Sequence, residues 1–557
     1  MPFDMTKPQS LADVLDRLTI RDGGSTRHRD QVSAVRRVAE MLGRAPADLP
    51  CDAPGLRMYL DRIHPAQHHI TAHTLANIKT NLATALRSAR AIPRNAPKVP
   101  RTVAWEEFFL AAEAKHQVWS LSRLASYCAW RGLQPADVTD EVMAEFQGHL
   151  DARLLTKDPA KLCKEMAQIW NGIVKRNDLP FPCLSYEKGG SHRCRPLSTY
   201  PEPLQAEIQT YLGRLRHDDP FDTSGPDEAL RPTSVRNVEA HLRQFLDALA
   251  EAGEEPTGMK SLVDVVTAEN MKAAFRVIMK RAPSDKIPPA CNNIAATLVA
   301  IARYRLDLSE LDLKAVLAIK KKVTTKPKGM SAKNSDRLAQ FNDWENVLRI
   351  VGLPATLMDE ADRSPRNRKA ALAAMHAVAI AILLSCPVRA KNLASLDLER
   401  HIKAHRSGTH TRYTIRIEGI EVKNGEPIEF RLNNRVSRLL HRYITVYRPL
   451  VSRAQGTALF PKATDGTPRG SDNFGQELTR AVYRETGLEM HPHLFRHLTS
   501  KLYLKERPGD FETVRRLLKH KRLQTTIDFY AEISNQWAHE HYDQVVLAKW
   551  GGRDDQD

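Results

Sequence analysis

Over the first 320 residues, apolar positions recur three and four apart, a spacing that predicts helices. Arg27 to Met41, Trp119 to Trp130 and Val235 to Ala252 are amphipathic helix candidates. Two of the segments that follow them are alike: Leu42-Gly43-Arg44-Ala45-Pro46-Ala47-Asp48-Leu49 and Arg131-Gly132-Leu133-Gln134-Pro135-Ala136-Asp137-Val138. Each precedes a further helix, ending near Leu60 or Leu150. In a third stretch Ser261-Leu262-Val263-Asp264-Val265-Val266 comes next, and Thr267 is placed to cap a helix through Ile278. We read a faint repeat of three helical modules, residues 1–100, 101–195 and 196–320. The breaks agree with this division. Ile92 to Pro100 is proline-rich and basic, and Cys183 to Pro203 is rich in Gly, Ser and Pro. Residues 321–335 are expected to form a basic linker.

The period changes after residue 410. Tyr413, Ile415 and Ile417 alternate with polar positions, as do Ile428, Phe430 and Leu432, and Asn424-Gly425 between them is a hairpin signal. The most apolar run, Ala371 to Leu384, is short for a membrane span and contains His376, so it is expected to be a buried helix. The expected fold is mainly α, with tandem helical modules followed by a C-terminal domain, 336–557, that holds a small antiparallel sheet.

Charge narrows the partner. Lys and Arg outnumber Asp and Glu by 83 to 66, a net +17, and nucleic acid is the default polyanion for such an excess. In and beside the linker, Lys320, Lys321, Lys322, Lys326 and Lys328 are candidates to follow a phosphate backbone. The seven cysteines are scattered and include no CxxC pair, as expected of reduced thiols. Cys183, His192 and Cys194 fall short of a four-ligand zinc site, so no metal or cofactor is expected. The N-terminus lacks the charged-then-apolar layout of a signal peptide, which places the expected protein in the cytoplasm, away from membranes.

The candidate chemistry is concentrated near the C-terminus. His493-Leu494-Phe495-Arg496-His497 is followed by His520 and then by Tyr530. Metal-free phosphodiester transfer needs fixed cations on the non-bridging oxygens, a proton donor for the leaving oxygen, and a nucleophile that gives up its proton. Arg496 suits the clamp, because a guanidinium binds phosphate through two parallel hydrogen bonds and keeps its charge. His493 and His520 suit proton transfer and phosphate hydrogen bonding, and Tyr530 suits the nucleophile.

This ordered set resembles the C-terminal signature of the tyrosine recombinases, the phage-integrase-like family. The resemblance implies that Arg389, in Cys386-Pro387-Val388-Arg389, is the first catalytic arginine. It implies that Lys423 beside Asn424-Gly425 is the general acid, and that Tyr530 forms a 3′-phosphotyrosyl link. It further implies duplex DNA as substrate and a homotetramer on two DNA sites, with an accessory recombinase or a DNA-bending protein as a further class of partner. Two positions depart from the family pattern. Asn392 stands where an acidic residue is usual, and Lys519 where glycine is common before the second histidine. The expected activity is site-specific recombination for a mobile element. The alternatives are a type IB topoisomerase-like nicking-closing enzyme and a DNA-binding regulator with a decayed site.

Overall fold

The computed structural model describes residues 8–20, 25–94, 97, 99–186, 194–216, 228–282, 286–324, 329–407 and 410–543. The chain divides into two compact units, one of residues 1–187 with 328–557 and the other of residues 188–327. Of the sequence-predicted features, Lys326, Lys328 and His192 lie outside the described residues.

The local repeat is real at the level of backbone. Helix Thr26–Leu42 ends at Gly43 (φ +61°) and helix Lys115–Arg131 at Gly132 (φ +76°), both in the left-handed region that glycine enters without a Cβ penalty. In both cases Pro-Ala-Asp then makes one 3-10 turn, Pro46–Asp48 and Pro135–Asp137, because proline pre-sets its φ and is tolerated where a helical turn begins. The helices that follow are Ala53–Leu60 and Asp140–Asp151. In the third stretch helix Pro232–Glu251 ends at Ala252 and 3-10 turn Pro256–Gly258 follows, but a short helix, Leu262–Val265, comes before helix Ala268–Lys280, whose Thr267 side chain accepts from the Asn270 amide.

Each stretch closes its own apolar core. The first gathers Leu11, Val35, Leu56, Leu82 and Leu86, joined by Leu155. The second is aromatic, with Trp105, Phe108, Phe146 and Trp170, and Phe108 stacks on Trp170 at 4.5 Å. The third, in the smaller unit, is built on Leu204, Phe245, Leu246, Phe275 and Leu298. There the buried Asp247 carboxylate is met by Arg195 at 2.8 Å and Arg281 at 3.2 Å. A buried carboxylate needs such partners, so Arg195 packs with the third core and not, as its place in 101–195 suggests, with the second. Lys320, Lys321 and Lys322 also differ from expectation. They occupy the last turn of helix Glu310–Val323, where cations complement the helix dipole, and are not in an irregular linker.

The C-terminal core is centred on helix Arg368–Ser385, in which Ala371, Ala374, Met375, Val378, Ile380 and Ile382 are fully buried. It is the one described helix apolar and long enough to cross a membrane, and 61% of it is buried inside the protein. Three antiparallel strands, β1 (Ile402–Ser407), β2 (His410–Ile417) and β3 (Ile428–Arg431), pair in the order β1-β2-β3. Tyr413, Ile415, Ile417 and Ile428 face the core, as the alternation predicted; β1 lacked a clear signal. Asn424-Gly425 does not form a two-residue hairpin. Residues 418–427 separate β2 from β3 because Val422 is fully buried and Pro427 cannot donate to the ladder. Gly425 (φ +77°) turns the chain within that loop.

The first helical stretch seats a turn against this C-terminal core. Gly487, at φ +74°, ends helix Ser471–Thr486, and a Cβ there would lie 2.6 Å from the Pro65 Cβ and 3.0 Å from the Ile70 carbonyl oxygen. Ala66 packs into the core itself. His69 lies 3.3 Å from Glu345 and 3.5 Å from Asp343, and Arg349 donates to the His69 carbonyl. Gly487→Ala is therefore expected to destabilise the larger unit by about 1–3 kcal/mol, read as a lower urea midpoint. Paired with Pro65→Gly, it should cost less than the sum of the two single changes. Strict additivity would show that residues 65 and 487 do not touch.

Candidate active site

Helix Pro492–Glu506 organises the site. His491 caps it, accepting from the Leu494 amide. Spacings of three and four bring His493, Arg496, His497 and Ser500 to one side. His493 keeps part of its surface in solvent while its ring reaches into the site, whereas Arg496 and His497 are buried. The Arg496 guanidinium donates to the Pro387 carbonyl and, at 2.7 Å, to the Leu518 carbonyl. Its Nη2 lies 3.5 Å from His520 Nε2. One buried cation thus ties together the segment before Arg389, the helix carrying His493, and the segment before His520.

Arg389 is the N-cap residue of the short helix Ala390–Ala394 and is half-buried. Burial, then repulsion from Arg389, lowers the Arg496 guanidinium to about 10. His493 is lowered by burial and by Arg496 and Arg389. His520 falls to about 4 through burial and then the same two arginines. No carboxylate contributes to any of these shifts. The result is a concentration of positive charge and neutral imidazole on which no carboxylate acts among the described residues.

His520 is held in register by its backbone. Helix Phe511–Leu518 ends at Lys519 in the left-handed region (φ +53°), and the His520 amide donates to the Arg515 carbonyl at 2.9 Å. A glycine would adopt this conformation freely; lysine adopts it under strain. His520 Nδ1 lies 3.0 Å from the Thr526 hydroxyl, which is fully buried. With Arg496 donating toward Nε2, the proton of the neutral ring belongs on Nδ1 and is given to Thr526.

The hairpin loop reaches the same segment, since the Asn424 side-chain amide donates to the Lys519 carbonyl. Lys423 is next to it, exposed, and makes no ion pair or hydrogen bond among the described residues. Asn392 is buried three residues after Arg389, and its Nδ2 has no partner among the described residues. Lys320, Lys321 and Lys322 belong to the other unit.

Tyr530 lies in helix Leu523–Tyr542 and is only 2% exposed, packed against Leu504, Val514 and Leu518. Its phenol oxygen is 2.8 Å from His497 Nδ1. Burial, then the neighbouring histidines and Arg496, drops His497 to about 3, so the ring is neutral and shares one hydrogen bond with the phenol. Burial raises the Tyr530 phenol, opposed by Ser500 and Arg496. His497 and Thr526 were not among the candidates read from the sequence. The four-residue spacing of His497 from His493 was the available signal for the first; nothing local marks the second.

Residues 355–536 match the family model described as the phage integrase family. No curated protein matches the chain. Among solved structures, the XerH site-specific recombinase bound to difH substrate is similar at 14% identity, covering 63% of this chain and 99% of that one, with a TM-score of 0.39. A lambda integrase (75-356) dimer bound to a COC′ core site is similar at 14% identity, covering 58% and 93%, with a TM-score of 0.36. The Tn1549 transposon integrase in complex with transposon right end DNA is similar at 15% identity, covering 61% and 98%, with a TM-score of 0.35.

A pH dependence follows from the histidines. His149, His491 and His520 are lowered to about 4 and His497 to about 3, burial being the first cause in each. The folded chain refuses protons that the unfolded chain takes up near pH 6.5, so stability is full above that value and falls as pH drops toward about 4. The urea midpoint should decline between pH 7 and pH 5, and less steeply in His497→Gln. An unchanged midpoint over that interval would contradict the neutral buried histidines.

By the match over residues 355–536, that segment of the chain is similar to the phage integrase family.

Proposed function

We propose that the protein is a site-specific DNA recombinase of a mobile element, cutting and rejoining duplex DNA through a 3′-phosphotyrosyl intermediate. The observation that carries this reading is the gathering of Arg389, Arg496, His493 and His520 in one place where no carboxylate offsets them. That is the electrostatic complement of a phosphodiester, and still more of the extra charge that develops as it is attacked. Arg389 and Arg496 would hold the non-bridging oxygens, with His493 and His520 hydrogen-bonding beside them. The Tyr530 phenol would pass its proton to a histidine of the site, His493 or His520, as its oxygen attacks phosphorus; the bond to the 5′-oxygen would break, and Lys423 would give that oxygen its proton. The phosphotyrosyl bond conserves the energy of the cut one, so a 5′-hydroxyl from another strand can reverse the step without ATP. Two duplexes with two cuts each require four active sites, hence a homotetramer on DNA.

In this structure the phenol is bonded to His497 inside the protein, so cleavage requires Tyr530 to exchange that partner for the phosphate. A nicked suicide substrate tests the reading, because the strand leaving after attack diffuses away and traps the covalent adduct. Tyr530→Phe should form no adduct yet bind DNA as the parent does. Tyr503→Phe, which loses only a hydrogen bond to Asp510, should remain active. Adducts from Tyr530→Phe would remove the nucleophile assignment. Recombinant products joined between sites, as opposed to relaxation alone, distinguish a recombinase from a nicking-closing enzyme.

Lys423→Ala should slow cleavage by about 100-fold or more, since the leaving oxygen loses its acid. A bridging 5′-sulfur leaves readily as a thiolate and should restore the rate. Equal losses on oxygen and sulfur substrates would move the acid role to another residue.

A further inference from the structure

A second site of uncompensated positive charge lies far along the chain from the first. Helix Ala72–Ser88 ends in a tight reversal in which Arg90 adopts a left-handed backbone (φ +61°). Arg87, Arg90, Ala91, Ile92, Pro93 and Arg94 then line a cavity of about 460 Å³. Arg17 braces the turn, donating to the Ala89 carbonyl at 3.1 Å. A further arginine arrives from the second helical stretch. Arg153 donates to the Arg94 carbonyl at 3.3 Å and to the His149 carbonyl at 3.1 Å, which fixes it against the same turn.

Among the described residues these cations make no ion pair. Burial, and then Arg153, lowers the Arg87 guanidinium, and burial lowers Arg153; no carboxylate acts on either. Asp151, the acid nearest to Arg153 in sequence, is taken by Arg57 at 2.9 Å. The Nε of Arg87 is buried and has no hydrogen-bond partner among the described residues. A buried guanidinium N–H left unmade costs free energy, as does bringing like charges together. The cost of bringing like charges together is offset if an anion with several acceptor oxygens occupies the cavity.

We propose that Arg87, Arg90 and Arg94, supported by Arg153, form a phosphate-binding site that seats the backbone of duplex DNA outside the crossover region. Guanidinium forks match phosphate oxygens in geometry as well as charge. The cavity is lined by arginines together with Ala91, Ile92 and Pro93, a lining that suits the phosphate backbone. The site adds hold on flanking DNA without adding sequence choice. The choice of duplex DNA as the source of the phosphate rests on the recombinase reading; the anion chemistry of the site does not.

The test compares the full-length protein with Arg90→Gln/Arg94→Gln, both exposed side chains, and with the triple variant that adds Arg87→Gln. Binding to a labelled duplex long enough to extend past the catalytic domain is measured over a range of salt. The double variant should lower the slope of log affinity against log salt by about 1–2, at about 0.9 for each phosphate no longer neutralised, and bind about tenfold more weakly at low salt. An unchanged slope and affinity would overturn the proposal. Should the triple variant fail to fold, the double variant still decides. Inorganic phosphate, compared with chloride at equal ionic strength, supplies the second arm. If phosphate raises the melting temperature of the parent protein alone, while the duplex slope is the same for both, the site takes a free anion and the DNA assignment falls. Adduct formation at saturating protein should survive in the double variant. Failure of the parent to form adducts would sink the recombinase reading, while the salt slopes would still decide this site.

Discussion

The C-terminal domain depends on keeping one guanidinium charged in a nearly dry place. Arg496 is 5% exposed, and its hydrogen bonds run to the carbonyls of Pro387 and Leu518. A buried cation without partners would be very costly, so these carbonyls are held where they are, and with them the chain on either side. Arg389 follows one of them by two residues and His520 follows the other by two. The geometry of the candidate site is therefore set by the hydrogen-bond needs of its own most buried member.

That arrangement leaves its electrostatics unfinished. The histidines around Arg496 are kept neutral by burial and by the arginines, and no carboxylate stands among them. An anion arriving there would meet fixed donors and would stabilise, in turn, the protonated form of each imidazole. Tyr530 waits outside this exchange. Its phenol is satisfied by His497, and its ring fills the small core of Leu504, Val514 and Leu518. The same side chain thus joins the apolar packing of this core to the polar side chains of the site.

Elsewhere the chain repeats a simple local solution. A helix stops at a left-handed glycine, proline starts a single 3-10 turn, and a second helix begins. Two cores are built around this plan, with different side chains in each. The turn at residues 65–70 adds a tertiary role, since it occupies the space that Gly487 leaves by having no side chain.

What was legible in the sequence was whatever rests on near neighbours along the chain. Helix periods, the Thr267 cap, the alternation at Tyr413, Ile415 and Ile417, and the order of Arg389, Arg496, His520 and Tyr530 are all short-range patterns. They indicated a helical chain with a small sheet and a set of residues suited to phosphate. Where the loop length depended on Val422 being buried, the short-range hairpin signal at Asn424-Gly425 misled. Where a charge sought a distant partner, as Arg195 does with Asp247, the module boundary moved. The partner of the Tyr530 phenol, the tautomer of His520 and the lack of an acid acting on Arg496 were decided only by the tertiary structure. Burial and hydrogen-bond satisfaction are properties of residues brought together from far apart, and a residue's own sequence neighbours carry no record of them.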